Sequence, residues 1–228
     1  VLLRKALMSR LVAFGCSNTW GEGLPDTWNA GDEGRWQGQP SKFAWPQPLA
    51  DKMNLECVNM GEGGVSNKYI ANLIAETEFQ QDDIVVVLWT YFTRSCVFQD
   101  DGSVRRILVQ DISCLGMPTD HRKWNKIYYK NFYTDQEAIK DGYFRANFAK
   151  LYLDSIGIKN YHYTCVDSGT QPTGPSSIKP APKWSCIDFP DIKFINLDTA
   201  LDEMHPGINS QKRLAIDIYK DLNKNYDI

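Results

Sequence analysis

A serine at the mouth of an apolar segment, and an aspartate three residues ahead of a histidine near the far end of the chain, are the groups best suited to covalent chemistry. Ser17 lies in Gly15-Cys16-Ser17-Asn18-Thr19-Trp20-Gly21, directly after the apolar stretch Leu11 to Phe14, which puts its hydroxyl at a strand-to-loop switch. A serine hydroxyl becomes a nucleophile when a base takes its proton. The segment Asp202-Glu203-Met204-His205-Pro206-Gly207 supplies one, because a three-residue step lets a short turn present a carboxylate and an imidazole together. The chemistry implied is acyl transfer. His205 removes the Ser17 proton as the hydroxyl attacks an ester carbonyl, and Asp202 holds the imidazole tautomer. Backbone N–H groups stabilise the oxyanion, and water hydrolyses the acyl-enzyme.

Each of these residues also has a plainer reading. Ser17 alone is a turn or helix-capping residue, and His205 beside Pro206 is a cap for the last helix; the pairing with Asp202 favours chemistry. Cys16 still belongs to the strand end and is expected to be packed rather than presented to a substrate. Gly61, Gly63 and Gly64 are not followed by Gly-Lys-Ser or Gly-Lys-Thr, so they mark a turn and not a phosphate loop. His121 and His162 have no partner at a ligand spacing, and the six cysteines contain no CxxC pair, so neither a metal site nor a cofactor is expected.

The elements that must position these groups follow from hydrophobic pattern. Leu11 to Cys16 reads as a buried strand running into a long loop, Ser17 to Pro40, rich in glycine and tryptophan. Ser41 to about Met53 reads as a helix with Ser41 as its cap and Pro46 and Pro48 in its first turns. Leu55 to Met60 is a second strand, Gly61 to Gly64 a turn, and Ser66 to Phe79 a helix. Ile84 to Trp89 is a continuous β-branched run of the kind buried on both faces of a parallel sheet.

The pattern then changes. Cys96 to Phe98 and Val104 to Val109 flank a turn composition, Gln99 to Ser103, which predicts a hairpin. An aromatic and basic stretch follows from His121 to Tyr133, before a helix from about Asp135 to Ile156 that stops at Gly157. Tyr161 to Val166 is a fourth strand, Ser168 to Pro190 a Pro-, Gly- and Ser-rich excursion, and Phe194 to Leu197 a fifth strand. A last helix is capped by Asn209 or Ser210 and carries Leu214, Ile218 and Leu222 along one face. The alternation of strand, turn and helix implies βαβ units.

The 228 residues are 43% hydrophobic, enough for one well-packed domain over residues 1–228, with an inserted hairpin and aromatic segment at about 95–134. A formal charge of −3 steers the molecule towards neither nucleic acid nor anionic membrane, and a small neutral substrate fits it better. The same charge argues that the aromatic and basic stretch is a lid or a sugar-binding wall rather than a platform for single strands. Val1 to Met8 lacks the apolar core of a signal peptide, and the scattered cysteines fit a reduced setting, so a soluble cytoplasmic protein is expected.

Taken in order, these motifs resemble those of the SGNH hydrolases, the GDSL esterase and lipase superfamily. Gly15-Cys16-Ser17-Asn18-Thr19 is similar to the first block, with Cys16 where the family usually has Asp. Asn59 to Ser66 resembles the second block, and Asp202 to His205 the last. The resemblance implies a three-layer α/β/α sandwich with a mostly parallel five-stranded, flavodoxin-like sheet. It also implies a Ser17–His205–Asp202 triad and oxyanion donors at the Ser17 and Gly64 amides. The third block departs: the family's Gly-x-Asn-Asp is replaced by Trp89-Thr90-Tyr91-Phe92-Thr93-Arg94, which lacks the oxyanion asparagine.

One such donor is worth about 3 kcal/mol of transition-state stabilisation. Arg94, Thr90 or Asn67 is expected to take over part of that task, and Trp20 to contact substrate. The implied function is ester hydrolysis, with the tryptophan- and tyrosine-rich loops tilting the substrate towards an O-acyl group on a carbohydrate. The competing reading, motivated by the altered third block, is a catalytically weak or inactive binding or structural module.

Overall fold

The computed structural model describes residues 9–28, 38–109, 119–165, 178, 180–192 and 194–225. Residues 1–8, 29–37, Cys114, Val166 and 168–177, and the side chain of His121, on which several of the expectations above fall, lie outside the described residues.

Four strands form a parallel sheet: β1 (Arg10–Gly15), β2 (Glu56–Asn59), β3 (Ile84–Trp89) and β6 (Lys159–Thr164), in the order β2-β1-β3-β6. The register pairs Gly15 with Leu88 and Trp89 with Thr164, so all carboxyl ends finish at one edge. The buried strand β3 explains its own sequence, since every one of its side chains meets protein. Val85, Val87 and Trp89 point into one core with Val12 and Phe14, and Val86 and Leu88 into another with Leu11 and Ala13. The first core is covered by α3 (Asn67–Glu76) and α5 (Asp135–Ser155), the second by α2 (Pro46–Met53) and α6 (Ile208–Asn225). Three layers result. Each fully buried branched side chain contributes about 1.5–3 kcal/mol through transfer from water.

Several boundaries differ from expectation. Helix α2 begins at Pro46 and not at Ser41, because the Ser41 hydroxyl donates to Asp26 Oδ1 (2.5 Å) and so belongs to the preceding loop. Helix α3 is capped by Ser66 as its sequence suggests, the hydroxyl accepting from the Tyr69 amide (3.3 Å), but it ends at Glu76. Among the described residues the sheet has four parallel strands, where five were expected. Phe194 to Leu197 makes no ladder among the described residues; Phe194 is packed beside Leu214 and Ile218, and the Leu197 and Asp198 amides donate to Ser210 Oγ (2.8 and 3.1 Å). Donors spent on a helix terminus are lost to a sheet. Helix α6 itself is capped from outside, by Asp198, which accepts from the Asn209 and Ser210 amides (2.9 and 2.8 Å).

The hairpin consists of β4 (Ser95–Phe98) and β5 (Val104–Ile107), antiparallel and separate from the main sheet. The aromatic and basic stretch after it contains a helix, α4 (Thr119–Asn131), that its sparse apolar residues do not announce. That helix is held by tertiary contact: the Tyr129 hydroxyl donates to the Thr93 carbonyl (2.7 Å) just past β3. The longer α5 starts at a Thr134 cap that accepts from the Glu137 amide (3.1 Å). No helix among the described residues is long and apolar enough to cross a membrane.

Candidate active site

The carboxyl edge of a parallel sheet, where loops leave the strands, is where open α/β folds place ligands. Strand β1 ends at Gly15 and the chain turns at once into a four-residue helix, α1 (Ser17–Trp20). Ser17 is its first residue and is 3% exposed. Two glycines make the turn fit. A side chain on Gly15 would lie 2.0 Å from Thr19 Oγ1, and Gly21 closes the helix at φ +87°, a left-handed conformation that favours glycine. Asn59, at the end of β2, ties the second loop to this helix: its amide donates to the Thr19 carbonyl (2.6 Å) and its oxygen accepts from the Gly61 amide (2.9 Å).

The histidine arrives from the other end of the chain. An isolated bridge between Thr199 and Pro206, closed by the Ala200 amide on the His205 carbonyl (2.8 Å), makes the segment before α6 a tight loop. Inside it Asp202 Oδ1 accepts from the Met204 and His205 amides (both 3.0 Å), and Asp202 Oδ2 lies 2.5 Å from His205 Nδ1. The loop is docked on the segment after α1 through the Leu201 amide and the Gly23 carbonyl (2.8 Å). Gly23 has no side chain for a reason: a Cβ would sit 2.3 Å from the Asp202 carboxyl carbon.

Glu22, which sequence reasoning passed over, is the third member of this cluster. It is 5% exposed, its amide donates to the Ser17 carbonyl (3.1 Å), and its Oε2 stands 3.4 Å from His205 Nε2. The imidazole therefore lies between two carboxyl groups. A Cβ on Gly63 would fall 1.5 Å from Glu22 Oε1, so the glycine of the second loop is what makes room for it. The signal in the sequence was Gly21-Glu22-Gly23, a carboxylate between two glycines beside the nucleophile motif; only its burial distinguishes it from a solvated loop residue.

The electrostatics follow from this packing. Burial pushes the Glu22 carboxyl up to about 7, against the pull of His205, Arg94 and Arg106. Burial also works to raise Asp202, but the hydrogen bond and charge of His205 outweigh it and hold the carboxyl below its ordinary value. For His205, burial alone would lower the pKa; the Asp202 hydrogen bond and the Glu22 charge reverse that and raise it.

Ser17 Oγ donates to Cys16 Sγ (3.9 Å), and among the described residues it makes no hydrogen bond with His205. The two groups share one loop cluster through Glu22, whose backbone bonds to Ser17 and whose carboxyl faces His205. Hydrogen bonds of a working site often form only when substrate is bound. Cys16 is wholly buried, as expected of a strand-end residue. Contact with the Cys16 sulfur, then burial, push the Cys165 thiol up. The described cysteines are all free thiols, and no group of three or more His, Cys, Asp or Glu among the described residues could hold a metal ion.

The remaining expected residues lie around this cluster. Gly64 has φ +67°, with Arg106 Cδ 3.5 Å from where a Cβ would be, so the β4–β5 hairpin borders the second loop. Asn67 is buried and spends both ends of its amide on the backbone of Thr90, accepting from its N–H (2.9 Å) and donating to its carbonyl (3.2 Å). It clamps the loop after β3. Thr90 Oγ1 accepts from Arg94 Nη1 (3.1 Å), and the Arg94 guanidinium stacks 4.9 Å from the Tyr91 ring centre. Behind Arg94, Lys68, Tyr128, Tyr133, Asp141 and Arg145 help line a cavity of about 200 Å³. Trp20 is partly exposed at the end of α1, and its carbonyl accepts from the Ser41 amide (2.8 Å).

Comparison with known proteins agrees with this architecture. A carbohydrate esterase whose active site displays divergent catalytic and non-catalytic binding functions superposes with a TM-score of 0.56 at 14% identity, over 96% of this chain and 69% of its own. A carbohydrate esterase family 2 enzyme with a carbohydrate binding domain from Corynascus thermopiles (Myceliophthora fergusii) gives 0.54 at 12% identity, over 98% and 68%. The acetyl xylan esterase Est2A from the rumen bacterium Butyrivibrio proteoclasticus gives 0.53 at 12% identity, over 95% and 64%. This chain thus spans about two thirds of the length of those solved chains. No family model and no curated protein matches it by sequence. The fold is the one these carbohydrate esterase structures share, with four parallel strands in the main sheet among the described residues.

Proposed function

We propose that this chain is a serine hydrolase of carboxylic esters, with Ser17 as nucleophile, His205 as general base and Asp202 orienting the imidazole. The observation that carries the reading is the Asp202–His205 pair, bonded at 2.5 Å and docked against the loop that leaves Ser17. In this reading Nδ1–H donates to Asp202, which leaves the Nε2 lone pair to accept the serine proton. The acyl group passes to Ser17 Oγ, the alcohol leaves with the proton from His205, and water, deprotonated by the same nitrogen, releases the acid. The Ser17 and Gly64 amides donate to no protein acceptor among the described residues, which suits them to an oxyanion. Arg94, held in the loop after β3 by Thr90, supplies the positive charge that compensates for the missing third-block asparagine.

The substrate class is an O-acetyl group on a carbohydrate. Three solved structures of this fold are described as carbohydrate or acetyl xylan esterases, and Tyr128 and Tyr133 wall a cavity beside Arg94 with faces on which a sugar ring can stack. Neither nucleic acid nor a membrane is required as a partner. The test is hydrolysis of p-nitrophenyl acetate alongside acetate release from acetylated xylo-oligosaccharides and from medium-chain esters. Acetate release from the oligosaccharide, lost in Ser17→Ala, is the expected result. Turnover of medium-chain esters alone would overturn the carbohydrate assignment, and no turnover of any ester would favour the alternative of a binding module.

A further inference from the structure

The nitrogen of His205 that has to receive the serine proton faces a carboxyl oxygen: Nε2 and Glu22 Oε2 are 3.4 Å apart, while the other nitrogen is occupied by Asp202. An imidazole lone pair and a carboxylate lone pair repel at that distance unless a proton lies between them. The proton can be carried by the carboxyl group or by the ring; either way it occupies the lone pair that Ser17 needs. The Ser17 hydroxyl correspondingly turns to the sulfur of Cys16. We infer that Glu22 is a positioning residue for His205, which shares one proton with Nε2 in the resting site and holds the imidazolium on its far side from Asp202 during acyl transfer.

The site is built for this. Glu22 is sealed from water, Gly63 leaves space for its carboxyl, and its backbone is tied to Ser17, so the group is fixed relative to both nucleophile and base. The charged and titratable groups that face it are His205 from the loop before α6, Cys16 from the end of β1, Arg94 from the loop after β3 and Arg106 from β5. Arg106 is itself engaged by Glu62 of the second loop, so its charge is shared. The raised pKa of Glu22 and that of His205 agree with one proton held between two groups, whose titrations belong to the pair. A proton on Nε2 blocks the base at low pH, and a carboxylate beside it stabilises the imidazolium at high pH. Glu22 therefore shifts the working range upward and raises the ceiling.

This inference rests on the proposed Ser17–His205 chemistry, and its test separates the two. The pH–rate profile for p-nitrophenyl acetate is measured for the wild-type chain and for Glu22→Gln, together with the ring ¹³C resonances of His205 in histidine-labelled protein. In the variant the acid limb should move down by about one pH unit, so that activity at pH 6 as a fraction of its plateau rises by up to about tenfold, while plateau kcat falls severalfold with little change in KM. An acid limb that stays in place overturns the inference, and absence of turnover in the wild type overturns the hydrolase reading instead. The NMR arm needs neither activity nor a folded variant. In wild-type protein the His205 ring should titrate in two coupled steps; a single step would mean that no proton is shared with Glu22.

Discussion

Two histidines, one buried in the sheet and one half-buried in a loop, show how the same side chain is given opposite properties by what surrounds it. His162, on β6, is packed against Trp89, whose indole N–H donates to Nδ1 (3.0 Å); the ring proton is thereby placed on Nε2, which donates to Asn160 Oδ1 (2.9 Å). Both nitrogens are satisfied by neutral groups, and burial lowers its pKa to about 3. His205, held in a loop, meets Asp202 on one nitrogen and Glu22 on the other, and its pKa is raised. The sheet interior locks a neutral ring as a spacer, whereas the carboxyl edge keeps a ring whose charge can change. Burial alone does not decide which; the charge of the partners does.

The sharpest way to break the comparison is by activity. Ser17→Ala or His205→Asn should lower kcat for p-nitrophenyl acetate by about 10⁴-fold or more, while His162→Phe leaves it within about threefold once folding is verified. Comparable losses at both histidines would remove the distinction. Next in size, Asp202→Asn should cost about 10²- to 10⁴-fold in kcat through the wrong tautomer, with KM little changed; an unaltered rate would show that Asp202 does not orient the base.

The stability arm is smaller and has opposite signs in the two regions. The His162 pKa is depressed from 6.5 to about 3, so the unfolded chain binds the extra proton first. Its contribution is complete above pH 6.5 and lost as pH falls, with a slope approaching about 1.4 kcal/mol per pH unit. Urea titrations between pH 7.5 and 4.5 isolate this contribution as a difference: below pH 6.5 the wild type should lose stability relative to His162→Phe with that slope. His205 and Glu22 are raised, so their contribution is present at low pH and lost as pH rises through the raised values; in His205→Asn the alkaline decline should shrink. Least of all, Trp89→Phe leaves His162 Nδ1 without its donor and should cost about 1–3 kcal/mol in urea midpoint analysis, with the lost ring volume included.

What the sequence made legible follows the same division. The core strands announced themselves, because Ile84 to Trp89 is apolar at every position and cannot be anything but interior. The Asp202–His205 step was legible for a local reason, since three residues of chain suffice to bring the two groups together. Glu22 was not, because its burial depends on Gly63 from a distant loop and on a histidine 183 positions away. Helix α4 was hidden likewise, its few apolar side chains finding partners only once the loop after β3 exists. The expected fifth strand is the converse case: Phe194 to Leu197 has strand-like composition but makes no ladder among the described residues, and the Leu197 and Asp198 amides are claimed by the start of α6.

The central claim is that Ser17 is the nucleophile activated by His205, and covalent trapping tests it most directly. Protein treated with a fluorophosphonate is analysed by intact mass and then by peptide mapping. A single adduct on Ser17, formed much more slowly in His205→Asn, is the predicted result. An unmodified chain, or an adduct on Cys16 or elsewhere with Ser17 untouched, would contradict it.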